Sequence, residues 1–315
     1  MNRTRLSVML GTILNERLIR EVEENVHNIV PRVAAIQDIS GFGRCSLTVI
    51  MPILACMGAQ VCPVPTAILS THTGGFTNMT FTDLTDEMEA YINHWKEIGL
   101  EFDYIYTGFL GNEKQIDTVI DFCESFKRTG KECVVVDPVM GDNGKLYKTY
   151  NVVMQEKMRD LVAKADIITP NLTEAMFLLK KEYEARAFSD DEIKETLAAL
   201  TDLGPDRVII TGILDSKGAK ANVAYDKNKD IYWKVPYQEI NAHYPGTGDA
   251  FTSALIGALI QGDSLPMAMS RATEFISLAI KTTYGYQTET REGVMFEKVL
   301  PALFKREIDI NYSQI

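Results

Sequence analysis

From residue 32 onward the chain alternates short apolar runs with longer stretches in which apolar residues recur every three or four positions, the rhythm of strands and helices taken in turn. The runs Val33–Ile36, Gln60–Val64, Tyr104–Tyr106, Cys133–Val136, Ile167–Thr169 and Arg207–Thr211 predict strands, several of them apolar throughout, as strands buried on both faces are. Helices are predicted over Ser46–Met57, Leu84–Glu97, Glu113–Thr129, Val152–Lys164, Thr173–Lys180, Asp190–Leu203, Ala250–Gln261 and Leu265–Thr282, with Pro52 expected to interrupt or kink the first. Between Ala219 and Val235 the texture changes. There Ala221–Tyr225 and Ile231–Val235 flank Asp226-Lys-Asn-Lys-Asp230 and predict a β-hairpin. Upstream, Leu14, Leu18, Ile19, Val22 and Val26 are spaced by Glu16, Arg17, Arg20, Glu23 and Glu24 as one amphipathic helix, which Pro31 ends. The expected organisation is a helical extension over residues 1–30 and one α/β domain over 31–315, a mostly parallel sheet between helix layers, with ligands where strands end and helices begin.

Composition narrows the function classes. At 315 residues, 46% hydrophobic and 24% charged, the chain is globular and long enough for a large core. Its net charge of −11, with no Lys/Arg-rich run, argues against nucleic acid as a partner. A phosphate ligand would have to be met by helix N-termini, backbone amides and a divalent cation. The five cysteines are odd in number and form no C-x-x-C pair, which speaks against a disulfide framework or zinc knuckle and for a reducing, cytoplasmic compartment. No apolar run reaches the length of about 18 residues that a membrane span needs. The stretch Leu6–Leu14, broken by Gly11 and Thr12, is a poor secretory signal.

The strongest chemical signal is Pro245-Gly246-Thr247-Gly248-Asp249-Ala250-Phe251, leading into an apolar helix. Two glycines allow a tight turn that exposes successive N–H groups at the positive helix end, a seat for phosphate. Gly248 is expected to need positive φ or close backbone approach to the anion. Asp249 reads equally as a first-turn carboxylate that only steadies the helix. No Walker A run is present, and Ile39-Ser40-Gly41-Phe42-Gly43 lacks the third glycine of a dinucleotide fingerprint because position 46 is Ser. Asn171-x-x-Glu174 is a capping-box pattern.

Gly246-Thr247-Gly248-Asp249 resembles the anion-hole and base signature of the ribokinase-like superfamily. Ala35-Ile36-Gln37, Ser70-Thr71-His72-Thr73-Gly74, Thr107-Gly108-Phe109-Leu110-Gly111, Val136-Asp137-Pro138-Val139-Met140-Gly141-Asp142 and Ala165-Asp166-Ile167-Ile168-Thr169-Pro170-Asn171-Leu172-Thr173-Glu174-Ala175 follow in the order of its pyridoxal kinase branch. The resemblance begins near Arg32 and leaves the first 30 residues unmatched. It implies a ribokinase-like three-layer fold, a homodimer, and transfer of phosphate from ATP to the 5′-hydroxymethyl of pyridoxal, pyridoxine or pyridoxamine. Asp249 would be the base, and the amides of Gly246, Thr247 and Gly248 the anion hole. Asp137, Asp142, Tyr147, Thr169, Asn171, Glu174, Thr211 and Gly212 would face the nucleotide, with Asp137 and Glu174 toward Mg²⁺ and K⁺ as a possible activator. Asp38, His72, Thr73 and Phe109 would face the acceptor ring. Asp38 departs from the family, where Gln-Ser commonly stands in place of Gln37-Asp38. Hydroxymethylpyrimidine kinase is the second enzymatic reading. A catalytically silent vitamer-binding regulator is the non-enzymatic one, which retention of Asp249, Gly246 and Gly248 disfavours.

Overall fold

The computed structural model describes residues 29–304 and 311–315. The helical extension expected over residues 1–30 lies almost wholly outside the described residues. One ten-stranded sheet runs in the order β12-β11-β10-β9-β8-β5-β4-β1-β2-β3. Its centre is parallel: β2 (Gln60–Thr71), β1 (Arg32–Phe42), β4 (Tyr104–Thr107), β5 (Cys133–Val136), β8 (Ile167–Ile168) and β9 (Arg207–Leu214). Antiparallel strands flank it, β3 (Phe81–Asp83) on one edge and β10 (Lys220–Asp226), β11 (Ile231–Tyr237) and β12 (Ser313–Gln314) on the other. The expected hairpin is thus β10–β11, joined to the main sheet rather than standing apart.

Strand alternation sorts the apolar residues onto two faces. Ala34, Ile36, Ile105, Val134, Val136, Ile168, Val208 and Ile210 meet α2 (Thr85–Glu97), α3 (Glu113–Phe126), α4 (Val152–Val162), α5 (Leu172–Leu178) and α6 (Asp190–Thr201). Val33, Ala35, Tyr106, Val135, Ile167 and Ile209 meet α1 (Leu47–Cys56), α7 (Thr247–Ile260) and α8 (Leu265–Tyr286). This is the three-layer α/β/α arrangement. Because β2 and β4 flank β1 on opposite sides, the strand order reverses at β1, and the crevice at the carboxyl ends of β1 and β4 is where such sheets bind ligands.

Three expectations need correction. Helix α1 runs unbroken across Pro52. Strand β2 already contains Pro63 and continues past Val64 through Pro65 to Thr71. Prolines two positions apart lose their donors on one edge, and β3 pairs only with Ala67–Leu69, so that flank is open at both prolines. Strand β1 likewise continues to Phe42, which puts Asp38 inside the strand at an irregularity in the β1–β2 register between Gln37 and Ile39. The extra residue lies in β2, where Pro65 to Ile68 spans three steps against two from Gln37 to Ile39, so Asp38 stands opposite the bulge.

Candidate active site

A cleft of about 330 Å³ opens at the carboxyl ends of the parallel strands, within the range of small-molecule sites. Its walls carry Asp38, His72, Thr73, Phe109, Asp137, Asp142, Tyr147, Thr169, Asn171, Glu174, Thr211 and the Gly246–Asp249 turn. Gly212 lies in an adjoining cavity of about 230 Å³ that shares Thr211, Thr247, Gly248 and Phe251 with the first. Residues separated by more than 200 positions in sequence therefore meet in one connected space.

The turn at the floor is built by Gly246, the N-cap of α7, at φ 78°. A Cβ there would come within 2.0 Å of the Arg44 carbonyl oxygen, so glycine is required both for the left-handed backbone and for this close packing. Of the two reasons expected for Gly248, positive φ does not apply: its φ is not left-handed, and a Cβ would meet only Asp137 Oδ2 at 3.7 Å. Its bareness leaves room in the cleft. The first-turn N–H groups of α7 have no acceptor within the helix and stand at its positive end.

Asp249 is buried in that first turn. Its Oδ2 accepts from the Ser46 backbone N–H at 2.8 Å and from the Cys45 thiol at 3.4 Å. Burial, aided by repulsion from Asp38, pushes its carboxyl up to about 6. Asp38 is buried beside it; its oxygens accept from Ser46 Oγ at 2.6 Å and Ser40 Oγ at 2.9 Å, and burial raises its carboxyl too. Asp137 follows β5 directly, and burial with repulsion from Glu174 and Asp249 holds its carboxyl well above the usual range. The cleft lining holds five carboxylates and, among the described residues, no Lys or Arg.

Glu174 shows a complete capping box. Its Oε2 accepts from the Asn171 N–H at 2.9 Å while Asn171 Oδ1 accepts from the Glu174 N–H at 3.0 Å. The same carboxylate reaches out of its helix, Oε1 accepting from the Met140 N–H at 3.0 Å, and Asn171 Nδ2 donates to the Gly141 carbonyl at 2.9 Å. The box therefore ties α5 to the loop after β5. Burial pushes Glu174 up to about 8 despite these donors. Asp142 sits on a two-strand hairpin, β6 (Gly141–Asp142) and β7 (Lys145–Leu146), absent from the sequence reading. Asn143 and Gly144 at its tip both have positive φ, 50° and 74°, and Asn-Gly is the dipeptide that signals such a turn. Both Asp142 oxygens are engaged by Asn143, and Tyr147 hangs from the far end through its N–H to the Met140 carbonyl. Thr169 and Thr252, both lining the cleft, pair their hydroxyls at 2.9 Å.

Of the other residues that the sequence marks as ligand contacts, Phe109 and Thr73 line the cleft. His72 has both ring nitrogens occupied by backbone. Nδ1 accepts from the Gly74 N–H at 3.1 Å, which leaves the proton on Nε2 for the Arg291 carbonyl at 2.7 Å. The ring offers an edge or face to a ligand and no free hydrogen-bonding nitrogen. Sequence reading missed Cys45, Ser46 and His243 as lining residues; Ser46 was legible only as a helix start, and no spacing marks the other two.

Comparisons with known proteins agree with this geometry. A profile of the family described as phosphomethylpyrimidine kinase matches residues 53–294. A crystal structure of a Bacteroides thetaiotaomicron protein, provisionally named phosphomethylpyrimidine kinase, superposes with a TM-score of 0.88 at 48% identity, covering 92% of this chain and 100% of that one. An orthorhombic form described as with pyridoxal gives a TM-score of 0.86 at 49% identity over 91% of this chain and 100% of that one. Lactobacillus plantarum pyridoxal kinase gives 0.79 at 27% identity over 88% and 97%. Pyridoxal kinase of Arabidopsis thaliana is 28% identical over 272 residues, 83% of this chain and 82% of that protein.

Proposed function

The chain belongs to the phosphomethylpyrimidine kinase family, and from that membership we propose that it transfers the γ-phosphoryl group of ATP to the 5′-hydroxymethyl of a vitamin B6 vitamer. One observation carries the reading: Thr247 and Gly248 of the amide-rich turn line both of two adjoining cavities, and Asp249, next in the chain, lines the first. The cavity holding Asp38, Thr73 and Phe109 suits a small aromatic ring with polar substituents. The other, walled by Ile240, Phe251, Ile276 and Ile280 with Asn222 and Glu239 at hand, suits a nucleoside. A triphosphate reaching from the second toward the first crosses Thr247 and Gly248.

Phosphoryl transfer needs positioning and charge neutralisation more than covalent help. Asp249 takes the hydroxyl proton as the alcohol oxygen attacks, since a carboxylate is too weak a base to remove it beforehand. The N–H groups of Gly246, Thr247 and Gly248 meet charge on the transferred group. A divalent cation fits the chemistry of the site, because Asp137 and Glu174 repel each other and, among the described residues, no Lys or Arg lines the cleft. No three His, Cys, Asp or Glu residues are grouped to ligate one among the described residues. Mg²⁺ would therefore be held by one or two carboxylates with the phosphates and water, its usual habit, and would supply charge neutralisation. Activity is expected to vanish in EDTA and return with excess Mg²⁺; full turnover of uncomplexed ATP would refute this role.

The pyridoxal in the Bacteroides structure supports the vitamer reading, whereas the family's description favours a pyrimidine alcohol as acceptor. Steady-state rates with ATP against pyridoxal, pyridoxine, pyridoxamine and hydroxymethylpyrimidine decide between them: kcat/KM for at least one vitamer is expected to exceed that for the pyrimidine. Asp38→Ser extends the test. It should change the ratio of kcat/KM among the three vitamers and leave KM for ATP nearly unaltered, because Asp38 lies at the acceptor end of the cleft. A uniform loss with a lowered melting temperature would mean that Asp38 only braces the turn.

A further inference from the structure

The turn entering α1 is strained and unusually occupied. Ser46 has φ 55° and ψ −139°, a backbone state that is strained for a residue with a side chain. A serine at a helix N-cap normally turns its hydroxyl onto the first-turn N–H groups, and Ser46 makes no such bond. Its hydroxyl donates to Asp38 Oδ1 at 2.6 Å, while its backbone N–H donates to Asp249 Oδ2 at 2.8 Å. One residue therefore grips both carboxylates. The turn is itself fastened. Arg44 donates its N–H to the Glu292 carbonyl at 3.0 Å and its Nε to Glu297 at 2.8 Å, and its own carbonyl packs against Gly246.

Resting on the reading of Asp249 as base and Asp38 as acceptor contact, we propose that Ser46 is a positioning residue that fixes the group orienting the acceptor ring relative to the group that takes its proton. Two buried carboxylates side by side repel each other, and among the described residues no Lys or Arg lines the cleft to hold them. The two donors of Ser46 do so instead. The left-handed backbone is what aims them: it turns the N–H toward α7 and the hydroxyl toward β1. The separation between Asp38 and Asp249 is then set through one residue, not through two independent loops.

Ser46→Gly tests this, because glycine accepts the positive φ without strain, keeps the N–H and removes the hydroxyl together with its Cβ. The variant is expected to melt no lower than the parent, yet to lose about 10- to 100-fold in kcat/KM for the vitamer, the worth of one hydrogen bond to a charged group. KM for ATP is expected to stay within about twofold, since that interaction lies away from the nucleotide. Ser46→Ala, which keeps the backbone strain, is expected to show the same kinetic loss. In the Asp38→Ser background, Ser46→Gly should cost little more, since the hydroxyl no longer has a carboxylate to hold. Parental kcat/KM in either single variant, or losses that multiply in the double variant, would overturn the proposal. A parent protein that phosphorylates no vitamer would instead overturn the functional reading on which it rests.

Discussion

Asp249→Asn is expected to lower kcat by roughly 10²–10⁴, the loss that follows removal of a positioned acid–base group, while the protein becomes more stable. The second half follows from the titration of the carboxyl. Folding raises it from 3.8 to about 6, so between those values the folded state binds more protons than the unfolded one and stability falls as pH rises. Above pH 6 the full penalty applies, on the order of 3 kcal/mol for a shift of this size. An amide carries no such cost and can still accept the Ser46 N–H through its oxygen. At pH 7–8 the variant should therefore melt several degrees higher and bind ATP within a few-fold of the parent. The parent's kcat/KM should fall about tenfold per pH unit below about 6 as the base is protonated. Wild-type turnover in Asp249→Asn, or a lowered melting temperature with unchanged turnover, would remove Asp249 from the base role.

The two glycines of the same turn are expected to fail in different ways. In Gly246→Ala the new methyl meets a left-handed φ of 78° and the Arg44 carbonyl at 2.0 Å, so the turn carrying Ser46 must move. Stability and transfer should both collapse, with kcat down at least about 10², as when an oxyanion-hole donor is lost. Gly248→Val meets no such obstacle in the backbone, its Cβ touching only Asp137 Oδ2 at an ordinary 3.7 Å. It should fold with a near-parental melting temperature and lose transfer by a similar factor, because the side chain fills the space over the first-turn amides. Thermal melts beside kcat for each variant check the contrast. A Gly248→Val protein that turns over normally would show that these amides do not cradle the phosphate.

The layered fold was legible because its evidence is periodic. Buried parallel strands such as Val33–Ile36 and Cys133–Val136 are apolar on both faces, and helices such as Glu113–Phe126 show one apolar stripe. The Gly246–Asp249 turn, the capping box at Asn171 and the strand-end Asp137 were legible for a similar reason, since each is a local pattern with a local physical cause. What escaped depends on contacts between distant segments. Pro65 argues against extending the strand Gln60–Val64 until the open flank of β2 is known. Asp38 reads as a residue after β1 because the register irregularity that carries it depends on pairing with β2. Strand β12 exists only by pairing with Trp233 and Lys234 of β11. Ser46 reads only as the first residue of a helix, and its hydroxyl meets Asp38 because Asp38 and Asp249 are brought beside it by the sheet and by α7. The β6–β7 hairpin is the exception, for its Asn143-Gly144 signal was present in the sequence all along.

Phosphorus NMR of the protein incubated with Mg-ATP and pyridoxine tests the central claim most directly. The expected result is a single new phosphomonoester resonance, coupled to methylene protons, that grows in step with ADP and is absent with Asp249→Asn. ADP formed without that resonance, or a phosphomonoester that appears only when hydroxymethylpyrimidine replaces every vitamer, would contradict it.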